Sequence, residues 1–538
     1  MKKFLALALA LCMIFALCAC GQQAAPAASS TAPAAEEAAP TDEAYVNNNE
    51  TAAADAVSTK DTLVIGCEAE PYSLSPLESS GAPSARIRRL ISEGLFEINE
   101  AGEYVPLLAS SWEWEDEVTL VFHHREGVSF SDGTAFTADD VIFTLENGAN
   151  SAAGSFFTPY LDHTEKVDDY TVKIVFNQVT SMCFDKFESQ HFPVYNQAAY
   201  EADGNQFAYN LIGTGPYVLK NWTTGESLTL EANPNYWGEQ PKIKNVVFRF
   251  ITEGSQRTIE LQTGGIDIDV SVSADDLDYF TGDEFKVNKA ADQFMRELFF
   301  NLNEEARPGS PIQDVRVRQA IAYALDTDAL AETYYAGIGS APSSNVSPLY
   351  SSIYEPGEST LYAENTEKAK ELLAEAGYAD GFKMVCLADA TQEYQDLTEI
   401  LQATLAPLNI EVEMLIRDST TWFATVVANE EWDVCWFSLG DASPVFAFTH
   451  FLGTGDFGSP DYTTYRNETF MEALAQAGKE NDTAKLKELF KTMDQCMTED
   501  LPMYSVYVPV ILSVYRSDLK NYEFRSGMLN VEEMVFAD

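Results

Sequence analysis

Apolar and polar positions along the 538-residue chain change character near residue 61. Beyond it, short apolar runs alternate with amphipathic stretches, which predicts strands interleaved with helices. "DTLVIGCEAEPYSLSP" (61–76) predicts a buried strand at 63–65 and a loop at 71–76. "APSARIRRLISEGLFEI" (82–98) predicts a helix ending near Gly94. In "TLVFHHREGVSFSDGTAFTADDVIFTLENG" (119–148) a strand leads to a turn at Asp132-Gly133 and a helix from Thr137. Thr137 and Asp140 have the spacing of an N-cap and its N3 acid. The hydroxyl is expected to take an orphan amide while the carboxylate complements the helix dipole. "VDDYTVKIVF" (167–176) alternates as one strand, and 213–237 reads as two strands around a Gly-rich turn. A strand at 241–251, a helix with a glycine stop and short strand at 255–269, and a strand at 297–303 follow. Helices are predicted at 312–337, 365–378 and 482–501, helix–turn–strand at 398–418, and a buried strand at 431–440. No short repeat period interrupts this order, so the chain reads as α/β domains.

Before residue 61 the pattern is different. Lys2 and Lys3 precede an apolar run at 4–17 of about 14 residues, where a membrane span needs roughly 20. A basic start and short apolar run predict a secretory signal. Leu17-Cys18-Ala19-Cys20 resembles the bacterial lipobox. The resemblance implies a signal peptide at 1–19, cleavage before Cys20 and a diacylglycerol thioether on its sulfur. Residues 21–60 are rich in Ala, Pro, Ser, Thr and Glu, with Tyr45 as the one aromatic. Such a segment buries too little apolar surface to offset its ordering entropy. It is expected to be a disordered tether with a reach of roughly 35 Å. The expectation is a chain lipid-anchored on the extracytoplasmic face of the cell membrane, its remainder soluble.

The folded part is too long for one core, so two or three domains are expected. A formal charge of −51 excludes nucleic acid, which needs clustered Lys and Arg, and favours cationic ligands. After Cys20 the cysteines are Cys67, Cys183, Cys386, Cys435 and Cys496, with no CxxC pair for zinc or redox work. His123 and His124 are adjacent on a predicted strand and face opposite sides, so they do not chelate one metal together. No HExxH, GxSxG or Walker sequence occurs. "GTGDFG" (453–458) matches GxGxxG by letter, but no strand leads into it and Pro460 follows. An enzyme is therefore not expected, nor a cofactor or a resident metal.

Several blocks carry a resemblance. They are 107–148 with "SDGTAFTADDV", "GTGPY" (213–217), "NPNYWG" (233–238), "ELQTGGIDI" (260–268), "FFNLNEEARPGSPIQDVRVRQAIAYALD" (299–326) and "NTEKAKELLAEAGY" (365–378). In this order they resemble the extracellular solute-binding proteins of ABC importers, family five, the dipeptide, oligopeptide and nickel group. The resemblance implies a two-lobed α/β fold of the periplasmic-binding-protein type (type II, cluster C), with a hinge between lobes and an extra subdomain in the first. The lobe I core is expected at 61–95, 206–290 and 508–538, the extra subdomain at 96–205 and lobe II at 291–507. The implied function is capture of a peptide-like solute in the interlobe cleft by a monomer and delivery to an ABC permease and ATPase. The alternatives are a nickel chelate or other small solute on the same fold, or a surface sensor or hydrolase.

The blocks themselves read as structural: Asp314 is expected to cap the helix carrying Arg316 and Arg318, and both arginines to form salt bridges. Ligand contacts are expected elsewhere. "SSGAPS" (79–84) resembles the loop that meets ligand through its backbone, which assigns Ser79, Ser80 and Gly81 to the cleft. "WFSLGDASPVFAF" (436–448) resembles the W-x-x-D…P segment whose aspartate holds a peptide's ammonium, with a shifted spacing. That assigns Trp436, Phe437 and Asp441 to the cleft, with His450 nearby. "ADATQEYQDLTEI" (388–400) has no arginine where dipeptide-specific relatives hold the ligand carboxylate, and Arg417 is the nearest alternative.

Overall fold

The computed structural model describes residues 60–75, 82–98, 104–148, 160–178, 187, 193–203, 209–292, 294–334, 338–342, 344–345, 362–439, 448, 452, 462–480, 482–525 and 528–537. All of them belong to one unit, Asn49–Asp538. Cys20, Cys183, Ser79, Ser80, Gly81, Asp441 and His450 lie outside the described residues, as do the signal, the tether and "GTGDFG". Among the described residues no helix is long and apolar enough to cross a membrane.

The chain opens with β1 (Thr62–Cys67), α1 (Ala82–Arg88), β2 (Phe96–Ile98) and β3 (Tyr104–Pro106). β4 (Ala109–Trp114), β5 (Thr119–His124), α2 (Ala138–Gly148), β6 (Leu161–Asp168), β7 (Thr171–Phe176) and α3 (Gln197–Asp203) follow. Then come β8 (Tyr217–Thr223), β9 (Ser227–Ala232), β10 (Asn245–Phe250), α4 (Gly254–Thr263), β11 (Ile268–Asp269) and β12 (Phe285–Ala291). The next stretch holds β13 (Met295–Phe300), α5 (Val315–Ala324), α6 (Thr327–Thr333), α7 (Thr366–Glu375), β14 (Phe382–Asp389) and α8 (Gln392–Leu405). It ends with β15 (Ile410–Arg417), α9 (Ser419–Ala428), β16 (Val434–Leu439), α10 (Glu468–Ala477), α11 (Thr483–Asp500) and β17 (Met503–Tyr507), before β18 (Val510–Arg516).

Three sheets organise these elements: a seven-stranded sheet in the order β12-β18-β11-β1-β10-β9-β8, a five-stranded sheet β15-β14-β16-β13-β17, and a four-stranded sheet β4-β5-β7-β6. β1 runs parallel to β10 and β11, and β14 parallel to β15 and β16. Alternation decides the faces of the five-stranded sheet. Leu298, Phe300, Val434, Trp436 and Tyr504 pack with Leu373, Leu397 and Leu401 of α7 and α8. Phe299, Cys435, Phe437 and Met503 join the cluster that contains Phe470 of α10 and Met497 of α11.

Several elements depart from the sequence pattern. The helix after residue 82 stops at Arg88 rather than Gly94. Backbone N–H groups of Tyr217 and Gly215 donate to the carbonyls of Leu90 and Ile91, both at 2.9 Å, and hold that segment out of the helix. This pairing explains "GTGPY": a Cβ at Gly215 would sit 2.7 Å from the Leu90 oxygen, and one at Gly213 would collide with the Ile91 carbonyl. The single strand expected at 167–176 is a hairpin instead, with Val167 and Asp168 in β6. The helix expected at 312–337 divides into α5 and α6 because Asp326 caps α6, accepting from Ala329 N at 2.9 Å.

At α2 the carboxylate of Asp140 reaches back to Thr137 N at 2.9 Å. The Thr137 hydroxyl donates to that same carboxylate at 3.3 Å instead of accepting an amide, so only the acid's half of the box forms as expected. Asp314 caps α5 and accepts from Arg316 N at 2.9 Å. Arg316 pairs with Asp314, whereas buried Arg318 donates to the carbonyls of Ile312, Gln313 and Asp500. Cys67, Cys386, Cys435 and Cys496 are free, buried thiols, and burial pushes Cys67 up to about 11.

Candidate functional site

Strand direction marks a candidate site. The chain passes from the seven-stranded to the five-stranded sheet between β12 and β13, and returns between β17 and β18. β12 and β11 are both antiparallel to β18, so β12 ends at the edge where the parallel strands β1, β10 and β11 end. β13 is antiparallel to β16, so it starts where β14, β15 and β16 end. β17 is antiparallel to β13, so it ends there too. Both crossovers therefore join the carboxyl edge of one sheet to the carboxyl edge of the other. Open α/β sheets bind ligands outside those edges. The two crossovers are themselves linked, since Asp292 N donates to the Pro509 carbonyl at 2.8 Å.

At the edge of the seven-stranded sheet, Arg257 from α4 holds the ends of β10 and β11. Its Nε meets Asp269 Oδ1 at 2.9 Å, and its Nη atoms donate to the carbonyls of Ile251 and Ser271 at 2.7 and 2.5 Å. Burial pushes the Asp269 carboxyl up, against the pull of Arg257. Beyond β1, Glu68 pairs with buried Arg86 at 3.3 Å. Glu70 accepts from Trp222 Nε1 at 2.8 Å and Gly225 N at 2.9 Å.

The edge of the five-stranded sheet is acidic and aromatic. Asp389 ends β14 and accepts from Thr391 N at 2.8 Å, which turns the chain into α8. Glu393, in the first turn of α8, pairs with Arg296 of β13 at 3.0 Å. Arg417, which ends β15, is held by Glu431 at 3.2 Å. Tyr394 and Ser438 share a 2.6 Å hydrogen bond. Asp418 caps α9, accepting from Thr421 N at 3.1 Å, and so presents Trp422 at the end of that helix's first turn and Phe423 at the start of its second. Trp422 stands 5.1 Å from Phe437 and 6.4 Å from Tyr394, and Phe423 stands 6.0 Å from Tyr462, centroid to centroid. The Trp422 indole nitrogen is buried without a hydrogen-bond partner among the described residues.

The expected aromatic pair divides. Trp436 is 1% exposed and packs against α7 and α8, so its ring belongs to the core and not to a cleft. Phe437 takes the other face, stacked on Phe299 at 4.9 Å. Arg296, Glu393, Tyr394, Trp422 and Phe423 were not singled out by sequence pattern. The usable signal is a strand running into a capped helix: "DATQEY" after β14 and "RDSTTWF" after β15 place those side chains at the carboxyl edge.

The family model for bacterial extracellular solute-binding proteins, family 5 (middle), matches residues 103–492. Glutathione-binding protein GsiB of Escherichia coli (strain K12) is 25% identical over 490 residues, covering 87% of this chain and 93% of that protein. Heme-binding protein A of Haemophilus influenzae is 25% identical over 510 residues, covering 88% and 91%. Among solved structures, HbpA2 from Haemophilus parasuis shares the fold with a TM-score of 0.79 at 21% identity, covering 89% of this chain and 100% of that one. The oligopeptide-binding protein AppA from Bacillus subtilis, in complex with a nonapeptide, gives 0.72 at 22% identity, covering 90% and 100%. With that match spanning most of its length, on a two-lobed α/β fold, the chain belongs to the family 5 extracellular solute-binding proteins of ABC importers, which bind solutes and are not enzymes.

Proposed function

We propose that this chain is a lipid-anchored, monomeric receptor that captures an amine-bearing, peptide-like solute between its lobes and delivers it to an ABC permease and ATPase. One observation carries the choice of solute. At the edge of the five-stranded sheet, the guanidinium groups of Arg296 and Arg417 are each matched by a carboxylate, Glu393 and Glu431, and Asp389 at the end of β14 adds a carboxylate with no ion-pair partner among the described residues, on a rim that also carries Tyr394 and Trp422. Such a rim suits a cation. An ammonium near carboxylates is favoured by Coulomb attraction, and an aromatic face adds about 0.5–2 kcal/mol. A ligand carboxylate finds the two guanidinium groups there already engaged.

We divide the receptor into a core (61–95, 206–290, 508–538), an extra subdomain (96–205) and a second lobe (291–507). Ser79, Ser80 and Gly81 are assigned to one wall, and Phe437, Asp441 and His450 to the other, with Asp441 holding the ammonium. Isothermal titration with trialanine and N-acetyl-trialanine tests this. The free amine is expected to bind, with acetylation and Asp441→Ala each weakening affinity at least tenfold, about 1.4 kcal/mol. If neither change moves the affinity, the ammonium site is elsewhere and the amine reading fails.

The anchor rests on Leu17-Cys18-Ala19-Cys20. Cys20→Ser is expected to abolish incorporation of labelled palmitate and release the protein from the membrane. Two or more acyl chains are what hold such a protein firmly, at roughly 0.8 kcal/mol per buried CH2. A variant that stays membrane-bound with unchanged mobility contradicts it.

A further inference from the structure

We propose that Arg296 is a positioning residue that couples the solute-facing rim of the five-stranded sheet to the interlobe crossover. The inference deepens the solute-receptor reading and rests on it only for the purpose of the coupling. Arg296 is the second residue of β13 and follows the crossover from β12 almost at once. Its guanidinium faces two ways. Nη1 donates to the backbone carbonyl of Phe294, in the crossover, at 2.9 Å. Nε donates to Glu393 Oε1 at 3.0 Å, and Nη1 also reaches Ser438 Oγ at 3.3 Å. Ser438 in turn shares its hydroxyl with Tyr394. One side chain thus ties the crossover, the first turn of α8 and the end of β16.

The strand prepares this arrangement. Pairing between β13 and β17 shifts register between Arg296 and Glu297, and such an irregularity re-aims a side chain. Only arginine has a planar set of donors able to serve a carboxylate and a carbonyl in different directions; the compact ammonium of lysine serves as a point charge. The crossover end is anchored as well, because Phe294 N donates to Asp292 Oδ1 at 3.2 Å and Asp292 N to Pro509 O at 2.8 Å. A cationic solute group drawn to Glu393 competes with Arg296 for the same carboxylate. The guanidinium that it frees is the one holding the Phe294 carbonyl. Binding at the rim thereby reaches the backbone that must flex when lobes close, which is the differential contact a hinge motion requires.

Hydrogen exchange of the full chain, without solute, tests the coupling. Amide exchange in peptides covering 291–298 is compared among wild type, Arg296→Met, Arg296→Lys and Glu393→Gln, with peptides from β1 and β10 as internal reference. Arg296→Met is expected to speed exchange at the crossover at least tenfold, with the reference unchanged, and Arg296→Lys to recover part of it. The discriminating variant is Glu393→Gln, which keeps the side chain's shape and lies on another element. It is expected to speed crossover exchange at least threefold, and to add nothing in the Arg296→Met background. Unchanged crossover exchange in Glu393→Gln, or additive effects in the double variant, overturns the proposal. Because no solute is present, that failure is distinct from failure of the amine reading, which shows only in the titrations.

Discussion

Replacing Arg257 with leucine is expected to lower the unfolding free energy by about 3–5 kcal/mol, because it strands a buried carboxylate. Asp269 is fully buried and its partner is 4% exposed. Once Arg257 is gone, Asp269 Oδ1 keeps only Ser271 N at 3.0 Å, and Oδ2 has no partner among the described residues. The carbonyls of Ile251, Thr252 and Ser271 lose their donor as well. Leucine at both positions removes the stranded charge with its partner, so the double variant Arg257→Leu/Asp269→Leu is expected to recover at least half of the loss. Urea unfolding of the single and double variants measures this as a shift in midpoint at constant slope. A single-variant loss below about 1 kcal/mol would show that water reaches Asp269 in solution and sink the argument. These carbonyls form the carboxyl edge of the seven-stranded sheet, so the single variant is also expected to weaken solute binding.

Capping is local, so candidate helix caps can be read from the sequence. Of the two expected, Asp314 stands at the N-cap of its helix and accepts from Arg316 N two positions on, whereas the Thr137 hydroxyl donates to Asp140 and takes no amide. What escaped was set by distant partners. α1 ends early because backbone groups of Gly215 and Tyr217 claim the carbonyls of Ile91 and Leu90, and no periodicity in 82–98 announces that. The β6–β7 hairpin turns at Asp169-Tyr170, a pair without the Asn or Gly that usually marks a two-residue turn. At the site the difficulty is different. "DVCWFSL" is apolar on both faces, so composition does not reveal that Trp436 faces the core and Phe437 the opposite cluster. Arg296 and Glu393 are 97 residues apart, and only the register of β13 against β16 and the turn into α8 bring them together.

The other large effect is on the pH dependence of stability, where two buried groups oppose each other. Glu93 is 4% exposed, and burial pushes its carboxyl up to about 7, against the donors Trp237 Nε1 at 2.7 Å and Tyr236 OH at 3.0 Å. Its ordinary value is 4.5. Between those values the unfolded chain has released the proton that the folded chain keeps, so stability falls as pH rises, by about 3 kcal/mol over the window. His124 works the other way. Burial, helped by the nearby charge of His123, lowers it from 6.5 to about 4, and neither ring nitrogen has a partner among the described residues. From pH 6.5 down to about 4 the unfolded chain takes up a proton that the folded chain refuses, so stability falls as pH falls, again by about 3 kcal/mol. In the shared window, pH 4.5 to 6.5, the two slopes cancel. Glu93→Gln, which fixes the neutral state, removes the first slope. The difference in unfolding free energy, wild type minus variant, is expected to decline by about 3 kcal/mol from pH 4.5 to 7. His124→Phe is expected to give a difference that rises with pH from 4 to 6.5. Unfolding curves at half-unit pH intervals measure both. A flat difference curve for Glu93→Gln would mean that the Trp237 and Tyr236 hydrogen bonds hold the carboxylate ionised despite its burial.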